Sequence, residues 1–297
     1  MANTYTYDDV ARREDLLNII TNLTPTDTQL VSGLGTSKSN DILHQWLTDT
    51  LKSVATNKFV EGVDATYPDR TDPSRLYNYC QIFRIGYQVS DTESAVVQAG
   101  FNSRVAYEAT KALKEWKADV EYALMRGSLA CGDGSTARSL QGIKNWLISN
   151  NTSDCSGVSI SESILNDFMQ ATWDDGVEVN ALYLPMYMKR KISGFTSGGT
   201  KNINLEDKRL VNAVDVYESD AANMVKLFKH RYVSISGTDT NYDIVGINED
   251  YYKVAYLRNP TTRELAKTGD ATNNEVIGEL TLECLNKNAG FWIQNAL

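Results

Sequence analysis

Apolar positions change period along this chain, and the changes divide it into segments. From Asn102 to Arg126, Val105, Ala109, Ala112, Trp116, Val120 and Ala123 recur at intervals of three and four. That spacing predicts an amphipathic helix of about seven turns. Leu113 and Leu124 widen the apolar stripe, and Lys111, Lys114, Glu115, Lys117, Asp119 and Glu121 are expected on the solvated face. No Gly or Pro interrupts the run, and Gly127 is placed to end it. A period of two governs Leu43–Thr50 and Gln81–Asp91, which predicts strands with unlike faces. The stretch between them, residues 53–78, is polar and turn-rich, with Tyr67-Pro68-Asp69-Arg70 and Asp72-Pro73-Ser74-Arg75. Two strands joined by so long a connection suggest a projecting two-stranded arm.

The flanks are less regular. Near the start, Asp8 and Asp9 can cap a short helix through Val10, Leu16, Leu17 and Ile20. Thr24-Pro25-Thr26-Asp27-Thr28 and Leu30-Val31-Ser32-Gly33-Leu34-Gly35 then break regular structure, which suggests an extended arm outside any compact core. After the long helix comes the loop Cys131-Gly132-Asp133-Gly134-Ser135, a partly apolar stretch over 140–147 and a polar linker over 150–157. Ser159 or Ser161 can cap a helix to about Asp174, with Ile164, Leu165, Phe168, Met169 and Trp173 on one face. Asn180–Leu184 reads as a buried strand, and Pro185 as the first residue of a helix through Lys191. Strand patterns follow in Val211, Ala213, Asp215 and Tyr217, then in 224–233, 243–247, 251–257 and 276–284. Helices and strands are segregated and no repeat is visible, so the expected class is α+β.

Composition narrows the function. With 297 residues, 42% hydrophobic and 23% charged, the chain can build a core. A net charge of −9 argues against sequence-specific nucleic-acid binding. No secretion signal or membrane span is legible. Cys80, Cys131, Cys155 and Cys284 are scattered and are expected as free thiols of a reducing compartment. His44 and His230 lie far apart, too few for a triad or a convincing metal centre, so no catalytic residue, metal or cofactor is expected. Ala266-Lys267-Thr268-Gly269-Asp270 superficially matches a pump phosphorylation motif, but Ala266 stands where the Asp nucleophile is needed. Gly132-Asp133-Gly134-Ser135 lacks the spacing of a phosphate or calcium loop. Glycosylation sequons at Asn22 and in Asn150–Ser153 have no secretion signal to give them meaning.

The closing third carries the most specific pattern: Leu265-Ala266-Lys267-Thr268-Gly269-Asp270, then Gly278-Glu279-Leu280-Thr281-Leu282-Glu283, then an Asn/Ala/Gly-containing ending over 286–290. Near the front stand Thr24–Thr28, Gly33-Leu34-Gly35, Leu43-His44-Gln45-Trp46 and Thr48-Asp49-Thr50. Together they resemble the major head proteins of tailed bacteriophages, of the HK97 fold and the SU10-like type, with gaps from about residue 20 onward. The resemblance implies an N-terminal arm (1–42), an E-loop with flanking strands (43–92), a peripheral domain with a spine helix (93–154), an axial domain (155–235) and a return to the peripheral sheet (236–297). It implies a non-enzymatic subunit that self-assembles as hexamers and pentamers into an icosahedral head around double-stranded DNA. The expected location is the virion, after assembly in the host bacterial cytoplasm. Expected partners are further copies of the chain, a portal protein, a separate scaffolding protein and a decoration protein. No long N-terminal scaffolding segment is visible. An encapsulin-like nanocompartment shell of the same fold is the alternative. Inter-subunit contacts are expected from Lys58, Glu61, Asp64, Asp69, Arg70, Asp72 and Arg75 at the E-loop tip. Lys58 is also placed where some shells form a Lys–Asn cross-link, though nothing in the sequence identifies a partner.

Overall fold

The computed structural model describes residues 27–65, 67, 69–96, 103–147, 151–195, 203–204, 209–210, 216–219, 222–234 and 241–297. The expected helix around Val10–Ile20 and the strand residues Val211, Ala213 and Asp215 lie outside them. In chain order the elements begin with helix α1 (Gln29–Gly33) and strands β1 (Gly35–Lys38), β2 (Leu43–Thr48), β3 (Ser74–Tyr79) and β4 (Gln81–Ser90). Helices α2 (Asp91–Ala95), α3 (Arg104–Arg126) and α4 (Ile143–Leu147) follow. Then come β5 (Thr152–Asp154), α5 (Glu162–Asp174), β6 (Ala181–Leu184) and α6 (Met186–Ile192). The short pair β7 (Ile203–Asn204) and β8 (Arg209–Leu210) precedes β9 (Val216–Ser219) and β10 (Ala222–Lys229). The chain closes with β11 (Tyr242–Ile247), β12 (Tyr252–Glu264), β13 (Ala271–Cys284) and β14 (Gly290–Ala296).

The contacts separate into two units. The larger holds Asp27–Phe83, Lys117–Thr261 and Ile277–Leu297. Its centre is a six-stranded mixed sheet in the order β5-β14-β11-β6-β10-β9. β6 is buried at all four positions, as its continuous apolar run Ala181-Leu182-Tyr183-Leu184 requires of a central strand. The amphipathic α5 and α6 supply Leu165, Met169, Met188 and Ile192 to a core shared with Leu182, Leu184, Val225, Leu227, Ile244, Phe291 and Ile293. Ser161 caps α5 by accepting from Ile164 N–H at 3.3 Å. The smaller unit includes Arg84–Trp116 and Thr262–Val276. In it Leu265–Asp270 is the turn between β12 and β13. Leu265 N–H donates to Asn273 O at 2.8 Å, and Lys267 Nζ donates to Asp91 Oδ2 at 2.5 Å.

A four-stranded sheet has the order β1-β12-β13-β4. It corrects the expected arm. Gln81–Asp91 does not pair with Leu43–Thr50, because β4 belongs to this sheet and buries Phe83 and Val89. The partner of β2 is β3, whose six residues alternate too briefly, with Asn78 among them, to stand out from the polar stretch around them. Residues 28–38 are likewise not an extended arm. Leu30 and Leu34 are buried, and β1 pairs in parallel with β12. On α3, Ala112, Trp116, Val120, Ala123 and Leu124 are buried as the period predicts, but Leu113 is exposed. Trp173 is exposed too, and Thr172 takes the inward position. Pro185 is the N-cap of α6 and not its first residue, so the helix starts one position later than expected. The helix-ending role of Gly127 is one of close approach. A Cβ there would stand 2.6 Å from both Ala123 O and Leu140 O.

Candidate functional site: an exposed arm and its root

β2 and β3 form a two-stranded antiparallel ribbon, with Leu43 opposite Tyr79 and Thr48 opposite Ser74. Cross-strand neighbours share a face, so His44, Trp46, Leu76 and Asn78 lie on one side and Gln45, Leu47 and Tyr77 on the other. The first side is held to the body. Trp46 Nε1 donates to Cys284 O at 2.8 Å, and Asn78 Nδ2 donates to Leu282 O at 2.8 Å and Gln141 O at 3.0 Å. His44 Nε2 lies 3.4 Å from Glu283 Oε2, which also accepts from Ser37 Oγ at 2.7 Å. The opposite side is open, with Leu47 65% and Tyr77 46% exposed.

Beyond the ribbon, every described residue of 49–73 is exposed. Lys58, Glu61, Asp64, Asp69, Arg70 and Asp72 all lie there, and Arg75 lies just inside β3. The structure therefore puts the seven predicted contact residues on one arm, and none enters an ion pair among the described residues. The apolar content of the same stretch is absent from the sequence expectations. Leu51, Val54, Phe59, Val60, Val63 and Tyr67 are 60–102% exposed. Phe59-Val60 and Val63, bracketed by charges, are the signal the sequence offers for it. Val63 N–H donates to Val60 O at 3.4 Å across Gly62, whose φ of +81° suits glycine. This makes a turn at the tip. Single exposed apolar side chains are ordinary, but six within one 17-residue stretch, Leu51–Tyr67, are more than scatter.

The root is charged in the opposite manner. There β13 carries Glu279 and Glu283, four apart and hence on one face of the strand. Glu279 is buried between two guanidinium groups: Arg138 Nη2 donates at 2.6 Å and Arg258 Nε at 2.9 Å. Within the smaller unit, Glu275 is also buried and receives Arg263 Nε at 2.6 Å. The hydrogen bond from His44 holds the Glu283 carboxyl below its ordinary range. A further buried carboxylate anchors α1. Glu121 is fully buried, not solvated as its position among lysines suggests. Its oxygens accept from Leu30 N–H at 2.7 Å and Val31 N–H at 2.8 Å, the orphan donors of α1. His230 Nε2 approaches the same carboxylate at 2.9 Å while its Nδ1 accepts from Tyr232 N–H at 3.2 Å. That assigns the His230 proton to Nε2. The two histidines thus serve separate carboxylates. Among the described residues no cluster of His, Cys, Asp and Glu is arranged to hold a metal ion, and no helix is long and apolar enough to cross a membrane.

The family model for the SU10 major capsid protein matches residues 2–296. The chain belongs to that family. A curated relative, the major capsid protein of Escherichia phage Phieco32, is 34% identical over 122 residues. That alignment spans 41% of this chain and 35% of the relative. Among solved structures, the capsid of cyanophage A-1(L) superposes with a TM-score of 0.69 at 10% identity, covering 96% of this SU10-family chain and 97% of that one. The capsid of Myoviridae phage XM1 gives 0.64 at 10% identity, with 95% and 96% covered. The holo-SrpI encapsulin complex of Synechococcus elongatus PCC 7942 gives 0.62 at 11%, with 97% and 93% covered. At such identities these likenesses show the fold, which is the HK97 type. The family assigns the SU10-type chain to the structural proteins of phage capsids. Buried Glu279 and half-buried Glu283 fall within the segment Gly278–Glu283 on which the resemblance rests. That segment therefore has a physical role, as the anchorage of Arg138, Arg258 and His44.

Proposed function

We propose that this chain is the shell-building subunit of a phage head, joining copies of itself as hexamers and pentamers into an icosahedral shell around double-stranded DNA. Assembly takes place in the host bacterial cytoplasm, and the finished protein resides in the virion. Residues 43–92 serve as the E-loop and its flanks, 93–154 as the peripheral domain with its spine helix and 155–235 as the axial domain; of 236–297, expected to return to the peripheral sheet, β12 and β13 serve that sheet while β11 and β14 join the sheet of β6, β10 and β9. One observation carries the reading: a capsid-family chain holds out an arm whose six large apolar side chains and nine charges are left in water by the described residues. Magnitudes decide what they are for. Covering an apolar side chain is worth about 1.5–3 kcal/mol. An exposed ion pair is worth about 0–1 kcal/mol. Adhesion therefore comes from Leu51, Val54, Phe59, Val60, Val63 and Tyr67. Lys58, Glu61, Asp64, Asp69, Arg70, Asp72 and Arg75 set register. Repetition around a ring multiplies both. A net charge of −9 lets the wall enclose DNA without gripping it. A portal protein, a separate scaffolding protein and a decoration protein complete the set of partners.

Electron microscopy of the purified full-length chain, alone and with its scaffolding partner, tests this. Rings or closed shells are expected. Compact monomers under both conditions would overturn the reading. Shells packed with a protein cargo and empty of DNA, from infected cells, would favour the nanocompartment alternative.

A further inference from the structure

Charge is unevenly spread along this acidic chain. Residues 179–205 and 221–238 hold seven Lys and Arg and no Asp or Glu, although acids outnumber bases 38 to 29 over the whole sequence. The fold brings the two runs together. β10 pairs in parallel with β6, setting Lys229 beside Leu184, and α6 follows directly from β6. Where they meet lies a groove of about 650 Å³. Pro185, Met186 and Tyr242 give it an apolar side, and Lys229 and Arg231 a basic one. Arg190 stands one turn beyond Met186 on α6, hence on the same face of the helix. Arg190, Lys229 and Arg231 are exposed, and the first two form no ion pair among the described residues. Asp27 is the one carboxylate among the described residues lining the groove. It meets Arg231 at 3.4 Å with both side chains more than half exposed. Such a pair is worth about 0–1 kcal/mol and is readily exchanged for another anion.

Three exposed cations gathered at one groove call for an anionic partner, and magnitudes decide which kind. Each ionic contact made in water is weak, so a partner with one or two carboxylates gains little. A polyanion gains more, because every contact releases counterions condensed on it. Duplex DNA carries one charge per about 1.7 Å of its axis, and the capsid reading sets it against this subunit. We propose that the groove beside α6 is a contact for packaged DNA. Arg190, Lys229 and Arg231 hold phosphates of one strand, and Met186 and Tyr242 lie along its sugars. Contacts to phosphate and sugar carry no sequence information, so any duplex serves. The net charge of −9 then has a local complement. The acidic remainder of the subunit keeps DNA off the wall, and one basic groove in each copy touches it at regular intervals. The inference rests on the capsid reading and adds to it the surface that meets the contents.

Binding of a short fluorescent duplex to the purified full-length protein, followed by anisotropy as salt rises, tests it. For wild type the logarithm of affinity should fall against the logarithm of salt with a slope of about −3, roughly 0.9 for each of three phosphates. Arg190→Gln with Lys229→Gln should bring the slope to about −1 and weaken binding at low salt by roughly tenfold or more. Lys114→Gln with Lys117→Gln makes the same charge change at exposed positions of α3 and should bind as wild type does. In DNA-filled heads with Met186 replaced by a photoreactive amino acid, irradiation should cross-link the subunit to DNA. Four results would each overturn the DNA contact and leave the capsid reading intact: a slope unchanged by the groove substitutions, an equal loss from the α3 pair, tighter binding of polyglutamate than of duplex at equal charge, or a cross-link from position 186 to protein in place of DNA. Wild-type protein that forms neither rings nor shells would instead overturn the capsid reading.

Discussion

The arm tip and the arm root use charge in opposite ways. At the tip, Lys58, Glu61, Asp64, Asp69, Arg70 and Asp72 are all exposed, and none is paired among the described residues. At the root, and along the α3 and β13 segments, Glu121, Glu275 and Glu279 are buried, and each meets donors within 2.6–2.9 Å. A buried carboxylate without its donors is costly, so the second set fixes the fold of a single subunit. An exposed carboxylate in water is nearly neutral to folding, so the first set is free to be used by a neighbour. A shell subunit needs both kinds. It must be rigid where it stores its own geometry and uncommitted where another copy completes it.

The comparison is broken most severely at Glu121. Glu121→Ala strips the acceptor from Leu30 N–H, Val31 N–H and His230 at once. The expected loss is about 3–5 kcal/mol of subunit stability, read as a shift of the urea midpoint at unchanged slope. A wild-type midpoint would show that α1 is not held by this carboxylate. Glu279→Ala should cost less, about 1–3 kcal/mol, because Arg258 beside it is 47% exposed and can turn to water.

Glu283 sharpens the comparison with pH. Its carboxyl titrates below the ordinary glutamate value of 4.5 because His44 and Ser37 hydrogen-bond to it. A carboxyl depressed on folding contributes stability that is fully present above the unfolded value and is lost as pH falls through the folded one. At pH 7, Glu283→Gln should therefore be about 1 kcal/mol less stable than wild type. The gap should close as pH drops below 4.5. A gap constant between pH 7 and pH 3 would show that the hydrogen bonds to Glu283 do not depend on its charge.

Much of this division is legible in the sequence, for unequal reasons. The period of α3 marks its buried stripe, and the alternation of Leu43–Thr48 marks the two faces of the ribbon. The length and polarity of the connection give the arm. What the pattern cannot give is the partner of β2. Only six residues of β3 alternate, and their inward members, Leu76 and Asn78, differ in kind, Asn78 being suited to the main-chain oxygens it meets. Glu121 is hidden by its neighbours. Lys117 and Asp119 are exposed on the same helix, and the sole hint is that Leu124 and Met125, three and four positions on, widen the apolar stripe there. β14 escapes a reading by period because its apolar run is short, Phe291-Trp292-Ile293, with no alternation to mark it as a strand. The apolar set at the tip is obscured by the charges that interrupt it.

The smallest effects on folding are expected at the tip, and there the comparison is most exposed to failure. Lys58→Ala, Asp69→Ala or Asp72→Ala should each leave the subunit's unfolding midpoint within about 0.5 kcal/mol of wild type. The triple change Phe59→Ser, Val60→Ser and Val63→Ser should do the same, since these side chains are already in water. Assembly should separate the two groups. Single charge changes remove at most one weak pair per contact and should leave shells that form at somewhat higher protein concentration. The triple change removes the apolar area a neighbour would cover, at about 1.5–3 kcal/mol for each side chain, and should leave folded subunits that form no shell. Light scattering during assembly, run beside urea denaturation of the same preparations, reads both quantities. If the triple change lowers subunit stability by several kcal/mol, the tip is part of the subunit's own core and the division between tip and root fails. If it leaves both stability and assembly unchanged, the tip is idle and shell contacts lie elsewhere on the molecule.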